Sequence, residues 1–181
     1  MKGLVFTTFF DFCGEQFGAD LLDDAIDAAS LSNGGAYTSV GTYPFEEMVA
    51  LITQVVRLSA QPMPVLLEAF GRYCFKAWVQ KFPASFEGQD LFDVLANIDH
   101  FHGMQVKTLY PDAELPSFTP VERSADHIAL EYRSCKPLAD LAVGVIRGAA
   151  AYLEAPVSVT YRAGTDAVRF EVRRQSSVLT A

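Results

Sequence analysis

The sequence contains few of the residues that build disulfide frameworks, zinc sites or nucleic-acid surfaces. Its 181 residues include only three cysteines and three histidines, and 14 Lys and Arg side chains stand against 22 Asp and Glu side chains. The cysteines, Cys13, Cys74 and Cys135, are odd in number, far apart and without a CxxC pair. This usage excludes a disulfide scaffold and favours reduced thiols in a cytoplasmic protein.

Positive charge and long apolar runs are also scarce. The net charge of -8 argues against a nucleic-acid partner, because binding to a phosphate backbone needs clustered Lys and Arg. No apolar run approaches the ~18 residues of a membrane span. The apolar segment 1–10 is short and has no signal-peptide cleavage site, so it predicts a helix. The sequence thus predicts a soluble protein without a membrane-bound part.

The length and the 50% content of hydrophobic residues predict a single domain over residues 1–181. Helical spacing of apolar residues dominates the first two-thirds of the chain. Gly18 is expected to end the first helix, and Pro44 and Pro64 are expected in the first turns of two later helices. A further helix is expected from about Leu91 to Leu109.

The pattern changes after Pro111. Alternating apolar and polar residues predict strands at 127–134, 157–161 and 168–173, and a helix from Leu138 to Leu153 separates the first strand from the others. This order predicts an α+β fold, with an N-terminal helical part followed by an antiparallel sheet and a crossing helix.

One histidine lies on the apolar stripe of the predicted helix 91–109. His102 falls four residues after Ile98 and four before Val106, so it should face inward, whereas His100 falls on the solvated face. An inward histidine is either a hydrogen-bonded core residue or a metal ligand. No second ligand stands at zinc spacing, which disfavours zinc. A heme, in contrast, needs only one axial histidine, because the porphyrin supplies the other four nitrogens.

Two segments carry a recognisable pattern. The first is Leu109-Tyr-Pro-Asp-Ala-Glu-Leu-Pro-Ser-Phe118, and Tyr132-Arg-Ser-Cys-Lys136 begins fourteen residues later. Together with Met1-Lys-Gly-Leu-Val-Phe6, they make the chain resemble the heme-nitric oxide/oxygen-binding (H-NOX) family, the gas-sensing domains of bacteria and of animal guanylate cyclases. The resemblance runs from Met1 to the last predicted strand, and it implies the same order of helices and sheet.

The resemblance implies a set of heme contacts. The family's Tyr-x-Ser-x-Arg motif, which binds the heme propionates, matches Tyr132, Ser134 and Lys136. On a strand these alternate residues would share one face, so that three donors could converge on two carboxylates. The proline that presses on the porphyrin matches Pro116, and the helix of the distal pocket matches the region of Val5 and Phe9.

The resemblance also bears on the choice of gas. Oxygen-binding members place a tyrosine nine residues after the motif tyrosine, where it donates a hydrogen bond to bound oxygen, and this position is Leu141. Without that donor O₂ is poorly stabilised, whereas NO bonds strongly without one. The resemblance therefore implies selectivity for NO.

The sequence departs from the family's pattern at two positions. Lys136 replaces the arginine, exchanging a planar fork for a point charge. The heme-ligating histidine of the family stands thirteen residues before the proline that matches Pro116, and this position is Gly103. Three explanations are open: His102 has taken over the iron through a change of helix phase, the site has lost heme, or the histidine was removed by engineering.

The predicted function is that of a heme b gas sensor, selective for NO and without catalysis. It would signal to a separate partner such as a histidine kinase or a diguanylate cyclase/phosphodiesterase, as the resemblance implies. The alternative is a heme-free module of the same fold that binds a small molecule or a protein, and Gly103 is the residue that favours it.

Overall fold

A computed structural model describes residues 1–175 of the chain. These residues form two compact units, of which the first is Met1–Phe70 and the second begins at Gly71. Each unit has its own buried core. A single domain over 1–181 stays a prediction.

The first unit is helical. It contains α1 (Gly3–Phe17), α2 (Ala19–Ala29), α3 (Phe45–Ser59) and the start of α4 (Met63–Lys81). Gly18 adopts a positive φ of 91° between α1 and α2, which confirms the predicted end of the first helix. The largest buried side chains of this core are Phe6, Phe9, Phe70, Met48, Leu51 and Leu66.

Two prolines stand at the starts of helices, as the sequence predicts. Pro44 is the N-cap of α3 rather than a residue of its first turn, and Glu46 and Glu47 follow at the positive end of that helix. Pro64 lies in the first turn of α4.

The second unit contains the remaining helices. After α4 come a 3-10 turn (Pro83–Ser85) and three short α-helical segments, α5 (Leu91–Ala96), α6 (Ile98–Phe101) and α7 (Lys107–Leu109), with a π turn at His102–Val106 between the last two. The helix predicted over 91–109 is therefore interrupted twice. The first interruption is at Asn97, whose side-chain amide donates to the Asp93 carbonyl at 2.8 Å.

The sheet consists of β1 (Ser117–Arg123), β2 (His127–Arg133), β3 (Val157–Ala163) and β4 (Val168–Arg174), and α8 (Ala139–Tyr152) connects β2 to β3. The strand order is β1-β2-β4-β3 and every pairing is antiparallel. The α+β class and the crossing helix are confirmed. One sheet face carries the apolar core, including Ile128, Leu130, Phe170 and Val172.

Strand β1 was not expected from the sequence. It contains Pro120, which offers no N–H to a neighbouring strand, and its register with β2 shifts between Pro120 and Glu122. Both features weaken the alternating pattern, and β1 lies at an edge of the sheet, where a proline is tolerated.

Within residues 1–175, no single helix combines the length and hydropathy required to cross a membrane. Helices α3 and α4 pass that test only as a pair, and they are bent by 112° where they meet.

Candidate functional site

His102 begins the π turn of the second unit. Its side chain is buried, with 7% of its surface exposed, whereas His100 is exposed and Met104 is 59% exposed. The inward direction predicted from the apolar stripe is thus confirmed. His102 is the only buried polar or charged residue in the part of the chain that the structure describes.

Aromatic rings surround His102. The rings of Trp78 and Phe101 lie 6.5 Å from the imidazole centroid, and the ring of Phe118 lies 6.4 Å from it. Trp78 comes from α4, Phe101 from α6 and Phe118 from β1. The histidine therefore has three neighbouring rings, and none of them carries a hydrogen-bond acceptor in its ring plane.

The imidazole is not fully satisfied. Nδ1 is buried and has no hydrogen-bond partner within residues 1–175. Burial lowers the pKa of His102, and this effect is opposed by the Asp99 carboxylate and by the Pro116 backbone, which can act only through its carbonyl. His102 is thus held towards its neutral form, the form that binds metals. A buried nitrogen without a partner is uncommon in a folded protein and marks a position that a ligand could complete.

Gly103 lies on the exposed side of the helical segment, away from the buried surroundings of His102. It is exposed, and a Cβ built on it would meet no atom within 4 Å. Because Gly103 follows His102 directly in a helical segment, the two positions lie on different faces. The structure does not bring Gly103 into the aromatic surroundings of His102.

The motif Tyr132, Ser134 and Lys136 begins at the end of β2. Only Tyr132 lies on the strand, which ends at Arg133, so the expectation of three residues on one strand face is wrong. The chain turns after Arg133, where the Ser134 hydroxyl accepts a hydrogen bond of 3.1 Å from the Lys136 amide. Such a local bond competes with the ladder of the sheet and ends the strand.

The side chains of Tyr132, Ser134 and Lys136 nevertheless lie close together. Burial raises the pKa of the Tyr132 hydroxyl, and this effect is opposed by a hydrogen bond with Ser134 and by the charge of Lys136. The Lys136 side chain is 13% exposed, and its Nζ lies 3.0 Å from a carboxylate oxygen of Glu114 and 3.2 Å from the Cys135 sulfur. Burial lowers the pKa of Lys136, but Glu114 and Cys135 outweigh it and the pKa is raised. The cluster therefore contains two hydroxyls and a stable positive charge.

Phe118 connects this cluster with His102. Its ring lies 6.4 Å from the His102 ring on one side and 4.9 Å from the Tyr132 ring on the other. Its backbone N–H donates to the Asp99 carboxylate at 2.9 Å, which fastens the start of β1 to α6. The segment from Pro116 to Phe118 thus joins the histidine and the hydroxyl cluster.

Leu141 lies in the first turn of α8 and is half-buried. Its carbonyl oxygen approaches α4 closely, since a Cβ built on Gly71 would lie 2.1 Å from it. Beside it, the Asp140 carboxylate accepts a hydrogen bond of 2.8 Å from the Tyr161 hydroxyl of β3. These contacts hold the start of α8 against two other elements of the second unit.

Val5 and Phe9 belong to the first unit. Both lie on α1, where Phe9 is fully buried and Val5 is half-buried. The ring of Phe9 packs edge-on against Phe70 at 5.0 Å.

Three further residues of the site were not singled out from the sequence. Trp78 and Phe118 pack around the histidine, and Glu114 pairs with Lys136. Glu114 and Phe118 lie inside the motif segment 109–118, so that segment carried a signal for them. The sequence gave no signal for Trp78, because an apolar residue of α4 fits the helical pattern equally well whether it lines a site or only packs in a core.

No group of three or more His, Cys, Asp or Glu side chains within residues 1–175 is placed to hold a metal ion. The arrangement around His102 offers one nitrogen, and the cluster beyond Phe118 offers hydroxyl and ammonium donors. One axial nitrogen and a set of carboxylate-binding donors are what a heme requires of a protein.

Comparison with known proteins agrees with this chemistry. The family model for haem-NO-binding proteins matches residues 2–161. Among curated protein sequences, none matches the chain.

Solved structures of H-NOX proteins share the fold. The Fe(II) unliganded H-NOX protein from K. algicida is 25% identical over all of both chains, with a TM-score of 0.90. A mutant of that protein is 26% identical over 98% of each chain, with a TM-score of 0.91. An H-NOX protein from S. oneidensis in the Fe(II)NO state has a TM-score of 0.87 at 21% identity, covering 97% of this chain and all of that one. With the family model matching most of its length, this chain belongs to the haem-NO-binding family, whose members are heme-binding gas-sensor domains.

Proposed function

We propose that this chain is an NO-selective heme sensor in which His102 would bind the iron. The observation that carries the assignment is the buried Nδ1 of His102, which has no hydrogen-bond partner in the part of the chain that the structure describes. Coordination would satisfy this imidazole, and burial already favours its neutral form. The nearby Pro116 carbonyl is the kind of backbone acceptor that orients ligating histidines.

The π turn supports His102 rather than position 103. The backbone N–H of Lys107 bonds to the carbonyl of His102, five residues earlier, whereas an α turn closes after four. The turn therefore contains one residue more than an α-helix would. Counting back from Pro116, the family's spacing reaches Gly103, and His102 is one residue further away.

That one-residue excess offsets the difference in spacing. In a regular α-helix, a shift of one residue would rotate the histidine by about 100° away from the ligand position. With the extra residue taken up between His102 and Val106, we infer that His102 occupies the family's ligand position and that Gly103 is the inserted residue. The exposed, open position of Gly103 agrees with this.

Tyr132, Ser134 and Lys136 would bind the heme propionates. Their hydroxyls and ammonium are charge-compatible with carboxylates, and Lys136 already holds the carboxylate of Glu114 at 3.0 Å. A carboxylate therefore fits this ammonium. A propionate would compete with Glu114 for Lys136, and Glu114 is exposed, so it can move into solvent.

When bound, the heme supplies the iron at which a diatomic gas is held. The protein would control the choice of gas through the groups that it provides for hydrogen bonding. At position 141 it provides a leucine, which cannot donate, so O₂ would lack the stabilising bond that NO does not need. Val5 and Phe9, also apolar, stay predicted residues of the distal wall.

Output to a signalling partner completes the proposal. A histidine kinase or a cyclic-di-GMP enzyme is the partner that the family resemblance implies, and we propose no catalytic role for the chain itself.

The ligand assignment is tested with three variants. His102→Ala, His100→Ala and a deletion of Gly103 would each be expressed with excess heme, and the Soret absorption and the iron–histidine stretch of the ferrous protein would be measured. We expect His102→Ala to lose the stretch and His100→Ala, an exposed matched control, to keep it.

The deletion is the sharper arm of the test. Removing Gly103 should convert the π turn to an α turn, restore the thirteen-residue spacing and retain both heme and the stretch. If position 103 were instead the ligand position, the wild type would show no iron–histidine stretch, Gly103→His would bind heme more tightly than the wild type, and the deletion, which places His102 thirteen residues before the proline, would gain the stretch. A wild type that folds but shows no Soret band would refute the heme proposal and support the heme-free alternative.

A further inference from the structure

The face of the sheet that points away from the core carries a shallow groove. Its volume is about 430 Å³, and we call it the arginine groove because three of its lining residues are arginines. It is lined by Glu122, Thr160, Arg162, Arg169, Glu171 and Arg173. All six belong to β1, β3 and β4, so the groove lies wholly in the second unit.

The two carboxylates of the arginine groove are already engaged. Arg169 lies 2.7 Å from Glu122 and 2.7 Å from Glu171, and Glu171 also contacts the imidazole of His127. Both carboxylates of the groove are therefore paired with Arg169.

The other two arginines have no such partner. Within residues 1–175, Arg162 makes no hydrogen bond or ion pair, and Arg173 has only the more distant attraction of Asp126. Both side chains are exposed. Thr160, two residues before Arg162 on β3, adds an exposed hydroxyl between them.

Arg162 lies directly opposite Arg169 across the β3–β4 ladder. Like charges in directly opposed positions destabilise an antiparallel pair, but the two carboxylates on Arg169 offset its charge. The guanidinium of Arg162 is therefore available to pair with a carboxylate from outside the chain.

We propose that the arginine groove binds an acidic segment of a partner protein, with carboxylates of that segment pairing with Arg162 and Arg173. The groove has three positive and two negative side chains, a balance of +1, on a chain whose net charge is -8. An acidic partner would be repelled by most of this protein and attracted here. The proposal does not depend on bound heme.

A nucleic acid fits the groove less well. Phosphate-backbone binding needs clustered positive charge, and here Glu122 and Glu171 lie among the arginines. Individual carboxylates can pair with individual guanidinium groups while avoiding those two glutamates.

The probe is a fluorescein-labelled peptide of ten glutamates, with binding measured by fluorescence anisotropy at low ionic strength. We expect the wild type to bind it and to release it as salt is raised, since exposed charge pairs are screened. A labelled peptide of ten serines and a labelled ten-nucleotide oligothymidine provide the comparison, and neither should bind as well.

Arg162→Gln and Arg173→Gln test the assignment, with Arg57→Gln as the matched control. Arg57 lies on α3 in the first unit, and its loss changes the net charge by the same amount. We expect each groove variant to weaken peptide binding about threefold to tenfold, while Arg57→Gln changes it less than twofold.

A second readout separates binding from folding. Arg162→Gln should change the melting temperature of the free protein by no more than about 2 °C, because Arg162 is exposed and makes no hydrogen bond or ion pair within residues 1–175. The proposal is overturned if the wild type does not bind the glutamate peptide, if Arg57→Gln weakens binding as much as Arg162→Gln, or if oligothymidine binds more tightly than the peptide.

Discussion

The contact between α4 and α8 leaves no room for a side chain at Gly71. A Cβ at position 71 would lie 2.1 Å from the carbonyl oxygen of Leu141, 2.8 Å from the amide nitrogen of Val145 and 2.9 Å from the Cα of Gly144. All three are backbone atoms of α8, so no side-chain rotation can relieve the overlap. We predict that Gly71→Ala forces the two helices apart.

The size of the effect follows from these distances. Ordinary contact begins near 3.4 Å, so the backbone of α8 must move by about 1.3 Å, the difference between 3.4 Å and 2.1 Å. Overpacking of this kind costs about 1–3 kcal/mol, and the upper value applies because backbone must shift. Alanine regains ~1 kcal/mol of helix propensity. The net loss is about 2 kcal/mol, or a fall in melting temperature of roughly 4–8 °C for a chain of this length.

Calorimetry of the purified protein measures this directly, and Gly14→Ala is the control. Gly14 also lies inside a helix, but a Cβ there meets nothing within 4 Å, so the variant should be more stable by up to ~1 kcal/mol. Gly148→Ala, whose Cβ would lie 3.0 Å from the Cβ of Phe75, should fall between the two. A Gly71→Ala protein as stable as the wild type would show that the close approach of the helices is not as described.

Three further predictions concern the heme site. Leu141→Tyr should introduce a hydroxyl donor and move the protein towards oxygen binding. The absorption spectrum of the ferrous wild type should be the same in air as under argon, apart from slow oxidation. A lasting change of that spectrum in air would contradict NO selectivity. Ser134→Ala and Lys136→Ala should each speed transfer of heme to apomyoglobin, because each removes about 1–3 kcal/mol of heme-binding free energy. Lys136→Arg should retain heme at least as well as the wild type. If both alanine variants transfer heme at the wild-type rate, the motif does not bind the heme. In protein prepared without heme, the pKa of His102 is lowered from its usual 6.5 by burial, so the unfolded state binds the proton more readily and the wild type should lose stability as the pH falls below about 6.5. Urea titrations measure the free energy of unfolding at pH 5 and pH 8, and the difference between the two values should be smaller for His102→Gln than for the wild type. An equal difference in the two proteins would refute this prediction.

Much of the fold could be predicted because helical and alternating patterns are local. The strands at 127, 157 and 168 and the crossing helix appear within a residue or two of their expected bounds. Strand β1 could not be predicted, because Pro120 and the register shift beside it remove the alternation. Its position follows from pairing with β2, which is a long-range contact that no local pattern records.

The site could be predicted in part for the same reason. The inward direction of His102 follows from periodicity, and Tyr132, Ser134 and Lys136 follow from a motif. The π turn could not be predicted, because Val106 and Leu109 fit the apolar stripe of a regular helix in the sequence, although Leu109 is 52% exposed in the structure. Counting residues from Pro116 therefore reached Gly103, whose exposed position no count could show.

The proline in β1 has a consequence for self-association. An edge strand normally presents a row of unpaired N–H and C=O groups on which another chain can add a strand. In this sheet the two outer strands are β1 and β3, and β1 carries a proline and a register shift that make it a poor template. Growth of the sheet into a fibril or a continuous intermolecular sheet would need strand addition at both edges. Because β1 is a poor template, a strand from another chain can add only at β3, and the sheet cannot extend further.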